Sequence, residues 1–400
     1  MVVEDTMTIY DIICREHDNK GFVKIPYLNE RLSASIGSHI ANVRNMDLAE
    51  VNPQLALFEG GECENLRTHC VLMFSSGFGK SSEMRHLLAA RSGLLSKSKF
   101  FNTTIRSTFT PESWVGTALK DKEGQPQIKQ GLFDRYKRGI VGADEFMRFT
   151  RMMDTSAVHE ATNEEVYLLT ALQHSSLTKE MSYATVESGD IGTTLWVGCR
   201  PTRVDMRHGL ARRVSFHIFT PTPKICTNYK EMNWLKNKGG STLDAVKEDM
   251  AETILDVTET MTDMNLVDYE PLKEYFKRKF PNTGRYPLDP HFETSIYKRL
   301  ALGFSVATGT FPKIVMDDRL CDLIDNEIKS RHVIRNDPEI EIVRKIVEEE
   351  PGITGKELTE FMSIWCQFTD IHCRKLINLF KLKFKPVVVK VGKTYEYTLR

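Results

Sequence analysis

One stretch constrains this chain more than any other: Val71-Leu72-Met73-Phe74 runs straight into Ser75-Ser76-Gly77-Phe78-Gly79-Lys80-Ser81-Ser82. The apolar run reads as a buried strand, and Met84, Leu87 and Leu88 behind it are spaced as one face of a helix. Between them, a Gly/Ser turn aims successive backbone N–H groups and a helix N-terminus at one spot, which suits a polyphosphate. Ser76, Gly77, Phe78, Gly79, Lys80, Ser81 and Ser82 are therefore the candidate nucleotide cradle. Lys80 would reach the outer phosphates of ATP, and the Ser81 hydroxyl would ligate Mg²⁺. The pattern G-x-x-x-x-G-K-S wants glycine where Phe74 stands. Without its context, the same text could be a Ser/Gly turn that happens to precede a lysine.

The context is an alternation of strands and helices. Ile140-Val141-Gly142-Ala143-Asp144-Glu145 reads as an apolar strand ending in two carboxylates. Such endings are common where a strand meets solvent. Behind a phosphate loop, Asp144 becomes a candidate Mg²⁺ ligand and Glu145 the group that orients or deprotonates an attacking water. Gly142 and Ala143 read as small enough to admit nucleotide. Further strands are expected at 100–105, 194–199 and 214–219, so the predicted fold class is α/β with a parallel sheet whose faces are covered. Arg200-Pro201 ends one strand, and Arg212 and Arg213 introduce the next. Arginines there are usually solvated or ion-paired. The sharper alternative is an arginine presented to a neighbouring subunit's γ-phosphate.

Length suggests two or three domains among 400 residues. The divisions expected are an N-terminal extension (1–31) with a short helix near 9–16, an α/β core (32–225), a helical lid (226–335) and a winged helix (336–400). Glycines at 60 and 61 read as closing a helix, and 237–241 as a flexible joint. In the last unit Thr354 and Glu357 form a capping-box pattern, Thr369 caps a third helix, and a hairpin turns at Gly392-Lys393. Lys+Arg and Asp+Glu both number 54, so a nucleic-acid partner has to be argued from local patches. Residues 354–400 carry nine Lys/Arg against four Asp/Glu, with Arg374, Lys375, Lys390 and Lys393 where a third helix and wing would meet DNA. A peptide-binding or purely structural winged helix is the competing interpretation. Eight cysteines without a C-x-x-C pair predict reduced thiols and no structural zinc, and no long apolar run occurs, so a soluble cytoplasmic protein with no membrane partner is expected.

The order of these motifs resembles the ATPase half of the minichromosome maintenance (MCM) helicases, a branch of the AAA+ superfamily, over roughly residues 32–329. Asp144-Glu145-Phe146 matches that family's Asp-Glu-Phe, and Leu55-Ala56-Leu57-Phe58-Glu59-Gly60-Gly61 resembles its segment before the phosphate loop. Thr103-Thr104-Ile105 followed by Trp114-Val115-Gly116-Thr117-Ala118-Leu119 resembles its second strand and following helix. The resemblance implies a ring, expected to be a homo-hexamer, that hydrolyses ATP with Mg²⁺ at subunit seams and moves on DNA during replication. It makes Arg213, with Arg212 behind it, the arginine finger, and Arg299 the sensor-2 arginine. It also implies two channel-facing hairpins, one near Lys122 and Lys129 and one at 176–189 carrying Lys179. Departures are Gly79 for the usual alanine before the lysine, Arg200 for the sensor-1 asparagine, and 31 residues where the family has a large N-terminal region. Two other functions fit the text: an ATP-switched DNA-binding initiator or transcription regulator, and a chaperone-like remodeller of proteins.

Overall fold

A computed structural model describes the whole chain except residues 1–6, 76, 108–109, 121–122, 154–162, 174–176, 182–183, 207, 236–242, 281–292, 336, 392–393 and 400. Its centre is a five-stranded parallel sheet: β1 (His69–Phe74), β2 (Asn102–Arg106), β3 (Gly139–Ala143), β4 (Thr194–Cys199) and β5 (Val214–Phe219). The spatial order is β5-β1-β4-β3-β2, every pair parallel. Every residue of β1 is buried. Its side chains alternate between two cores, Cys70, Leu72 and Phe74 on one face and Val71 and Met73 on the other. That is why the run is continuously apolar: a strand covered on both faces has no solvent side.

Helices α1 (Ile9–Asn19), α2 (Leu28–Val51) and α3 (Lys80–Leu88) precede or follow β1, and α4 (Pro223–Leu235), α5 (Asp244–Thr260), α6 (Glu270–Lys279), α7 (Glu293–Ala307) and α8 (Asp318–Arg335) follow β5. The helices after β5 do not stand apart as a lid. Met250 and Ile254 of α5 and Leu302 and Val306 of α7 share one core with Ile9, Ile36, Ile40 and Leu72. Helix α2 is buried nearly all round, as a helix pressed between a sheet and a second helix must be. Gly37 and Gly303 mark the crossing of α2 and α7. A Cβ on Gly37 would lie 2.0 Å from the Gly303 carbonyl oxygen, and one on Gly303 1.9 Å from that of Ala34.

Helix α8 closes the free edge of the sheet. Glu327 accepts from the Phe216 amide at 3.1 and 3.2 Å, Ser330 Oγ from that of Ile218 at 3.4 Å, and Arg331 donates to the Val214 carbonyl at 2.6 Å. Arg31 of α2 pairs with the same Glu327 and with Ser215, and its Nε donates to His217 Nδ1 at 3.2 Å. Arg31, Glu327 and Arg331 are 0, 0 and 3% exposed. Burial alone would raise the Glu327 carboxyl, but the two guanidiniums outweigh it and hold the group below the usual carboxylate value.

The C-terminal unit runs α9 (Pro338–Glu349), β6 (Ile353–Thr354), α10 (Gly355–Cys366), α11 (Asp370–Phe384), β7 (Val387–Val391) and β8 (Thr394–Thr398). Its strands form an antiparallel sheet ordered β6-β8-β7, over a separate core that includes Ile346, Leu358, Leu376 and Phe380. Thr354 and Glu357 make both bonds of a capping box, and Thr369 caps α11.

Three expectations need correction. Gly60 and Gly61 do not close a helix: α2 ends at Val51, and these glycines, at φ +61° and +89°, turn the small hairpin pairing Phe58 with Cys63. The segment Trp114–Leu119 is not one helix. A short helix, Pro111–Val115, stops at Gly116, whose φ of +114° starts a strand paired with Pro126–Gln130. Gly142 leaves room for protein, since a Cβ there would lie 3.1 Å from Met84 and Leu88 of α3 and 3.2 Å from Ile105. The joint at 237–241 and the hairpin turn at Gly392-Lys393 lie outside the described residues. Among the described residues, no helix is long and apolar enough to cross a membrane.

Candidate functional site

The loop from Ser75 to Gly79 leaves the C-terminal end of β1, which lies between β5 and β4, at the end of the strands where an open α/β sheet presents its crevice. Gly77 and Gly79 take φ of +89° and +83°, which explains glycine at these two positions. Phe74 needs no such freedom. It is the last residue of β1, paired with Phe219, and its ring lies 5.6 Å from that of Phe219.

Strand β4 inserts between β1 and β3, so the carboxylates ending β3 stand one strand away from the loop. Lys80 is 6% exposed, and its stem crosses Gly198 of β4, where a Cβ would lie 3.1 Å from Lys80 Cδ and Cε. This brings Lys80 Nζ to 3.2 Å from Glu145 Oε1. Ser81 Oγ donates to Asp144 Oδ1 at 2.7 Å. Arg85, one helical turn beyond Ser81, places Nη2 at 3.5 Å from the other Asp144 oxygen. Glu145 takes φ of +56°, a left-handed conformation that a non-glycine residue holds only when its surroundings impose it. Cys199 lies beside Lys80 and Glu145, but burial pushes its thiol up to about 12, so it stays protonated.

Two cations thus face two carboxylates across a crevice. The Ser81 hydroxyl and the Asp144 carboxylate converge as hard oxygen donors, a pair that fits Mg²⁺ with remaining positions left to water and phosphate. Glu145, with a half-exposed side chain, is free to turn toward a water once Lys80 engages an anion. Ser82 is exposed on the first turn of α3. Ser76 lies outside the described residues.

Arg212, Arg213 and Arg299 are somewhere else. Arg213 precedes Val214, which pairs with His69 at the start of β1, whereas Lys80 follows the end of that strand. A six-residue strand spans about 20 Å, so these arginines do not reach the loop from Ser75 to Gly79 of their own chain. They gather with Arg67 at the opposite end of the sheet. Arg213 donates to the Gly209 carbonyl at 2.6 Å, and burial, then Arg299 and Arg212, hold it below the usual arginine value. Its Nε is buried without an acceptor among the described residues. Burial also lowers Arg299, against the opposing influence of Glu64 and Glu59.

The two expected hairpins are present, at 116–130 and 177–188. Lys129 is exposed on the first, with Leu119 and Ile128 exposed beside it. Lys179 sits opposite Val186 on the second and donates to the Gly116 carbonyl at 3.2 Å, tying the hairpins together. Lys122 and Lys393 lie outside the described residues. Arg374 and Lys375 are exposed on α11 and Lys390 on β7.

Arg85 was missed in the sequence, although its place four residues after Ser81 puts both on one helix face. No protein-family model matches this chain, and no curated protein matches it. Its site is defined by geometry: two cations of α3 and a pair of carboxylates at one end of the sheet, and a group of arginines at the other.

Proposed function

We propose that this chain is a ring-forming nucleoside triphosphatase of AAA+ type, similar to the MCM helicases, that hydrolyses ATP between subunits and acts on DNA. The observation that carries the reading is Lys80 and Ser81 held against Glu145 and Asp144 across β4. A triphosphate entering the crevice draws Lys80 from Glu145 onto its phosphates and leaves that carboxylate to orient the attacking water. Ser81 and Asp144 would hold Mg²⁺, which would supply charge neutralisation at the phosphates. The placement of Arg213 at the far end of the sheet supports completion by a second copy, because an arginine in trans can add ~10³–10⁵ in rate. The C-terminal unit's helix–strand–helix–helix–hairpin order supports a winged helix, with α11 and β7 turning exposed Arg374, Lys375 and Lys390 toward a phosphate backbone.

The test is steady-state ATP turnover with and without single- and double-stranded DNA at two salt concentrations. Lys80→Ala and Glu145→Gln are expected to abolish turnover, Arg213→Ala to lower it by at least about 10²-fold, and DNA to stimulate it less at high salt. Full turnover in Arg213→Ala overturns the inter-subunit reading, and full turnover in Lys80→Ala overturns the site. The basic face of α11 favours one second reading, an ATP-switched DNA-binding initiator. A sequence-specific footprint that needs residues 337–400, without strand separation, selects it.

A further inference from the structure

The phosphate loop is not held by the sheet unit alone. Phe78, between the two left-handed glycines, is 2% exposed. Its ring centroid lies 5.2 Å from those of Phe219 and Tyr229 and 6.0 Å from that of Trp365. Trp365 belongs to α10 of the C-terminal unit, yet it packs against the core of the sheet unit. It also meets Tyr229 at 6.3 Å and Phe361 at 6.3 Å. The Tyr229 hydroxyl donates to the Gly77 carbonyl. Two polar contacts pin the same seam: Lys345 Nζ to Thr220 Oγ1 at 3.2 Å, and the Lys224 amide to Glu349 at 3.3 Å.

These contacts bear on phosphate binding through the backbone. In a trans peptide the Gly77 carbonyl and the Phe78 N–H point in opposite directions, so fixing the carbonyl fixes the donor. A loop with glycines at two of five positions is otherwise loose, and ordering it costs conformational entropy. If that order is already present, phosphate binding need not supply it. Phe78, between the two glycines of the loop, is then an anchor whose socket is completed by the C-terminal unit.

We infer that Tyr229 and Trp365 are positioning residues for the nucleotide, acting through Gly77 and Phe78, and that the C-terminal unit keeps the phosphate loop in its binding shape. This rests on the nucleotide-binding reading above. It is tested in the full chain by equilibrium titration with MgADP and by KM and kcat for ATP, in wild type, Trp365→Ala, Trp365→Phe and Tyr229→Phe. Loss of these aromatic contacts predicts that Trp365→Ala raises Kd and KM about tenfold, with kcat at saturation within about twofold. Trp365→Phe is expected to recover most of the affinity, and Tyr229→Phe to weaken binding about threefold to tenfold. The emission of Trp365, taken as the difference between wild type and Trp365→Phe, is expected to change on MgADP addition. Unchanged Kd in folded Trp365→Ala overturns the inference. Tyr229→Phe removes one hydroxyl and keeps the ring, so unchanged affinity there overturns it even if Trp365→Ala does not fold. Wild-type protein that does not bind MgADP overturns the nucleotide reading and this inference with it; wild-type binding with no difference among the variants overturns this inference alone.

Discussion

Glu327 joins elements that are otherwise far apart in the chain. Its two oxygens serve Arg31 of α2, Arg331 of its own helix, Ser215 and the Phe216 amide. Removing the charge leaves two buried guanidiniums without their anion, so Glu327→Gln is expected to destabilise the fold by about 3–5 kcal/mol in urea denaturation. Three buried histidines make a second residue-scale prediction. His39, His69 and His217 are buried and lie beside Arg67 or Arg31; burial first, then those guanidiniums, lowers each, His39 to about 3. The unfolded chain takes up a proton on each below about pH 6.5 while the folded chain refuses it. Stability is therefore full above that pH and falls as pH drops toward 3, by about 1.4 kcal/mol per pH unit for each histidine. Denaturation midpoints at pH 7, 6 and 5 check it, and a flat profile contradicts it. Depression of the Glu327 carboxyl acts in the same direction, its contribution full above the ordinary carboxylate value of 4.5 and lost as pH falls from there through the lowered folded value.

At the scale of elements, the close crossing of α2 and α7 depends on two glycines whose neighbours are backbone atoms, which cannot step aside as a side chain can. Gly303→Ala is expected to cost about 3 kcal/mol or more and to lower the thermal midpoint, while Gly60→Ala, in an open hairpin turn at φ +61°, is expected to cost about 1 kcal/mol. This contrast also shows what the chain's text made readable. The strands of the sheet and the turn after β1 were legible because parallel strands buried on both faces are unbroken apolar runs, and because Gly77 and Gly79 serve local backbone conformation. Gly37 and Gly303 were not legible, since their reason is a partner more than 260 residues away. Gly116 was misread for a related cause: its positive φ marks a change from helix to hairpin, which the helical pattern of Trp114 to Leu119 conceals. Arg85 could have been found by helical spacing, but Tyr229 and Trp365 meet Phe78 only through tertiary packing.

At the scale of the whole molecule, the parallel sheet is polar in the geometric sense, with Lys80, Asp144 and Glu145 at one end and Arg212, Arg213 and Arg299 near the other. A proposed seam between copies makes a complementation experiment decisive. Lys80→Ala and Arg213→Ala proteins, the first expected to be inactive alone and the second strongly impaired, are expected to regain turnover when mixed, because roughly one interface in four joins an intact loop to an intact arginine. Absence of any recovery, with assembly confirmed by sedimentation, argues against shared sites. The border strand of the sheet adds a further constraint on how copies meet. Helix α8 has already claimed the amides of Phe216 and Ile218, so no foreign strand can zip onto that margin while the helix is seated. Contact between copies on that flank must then be made by side chains, and clumping through β-pairing there has to wait until α8 has peeled off.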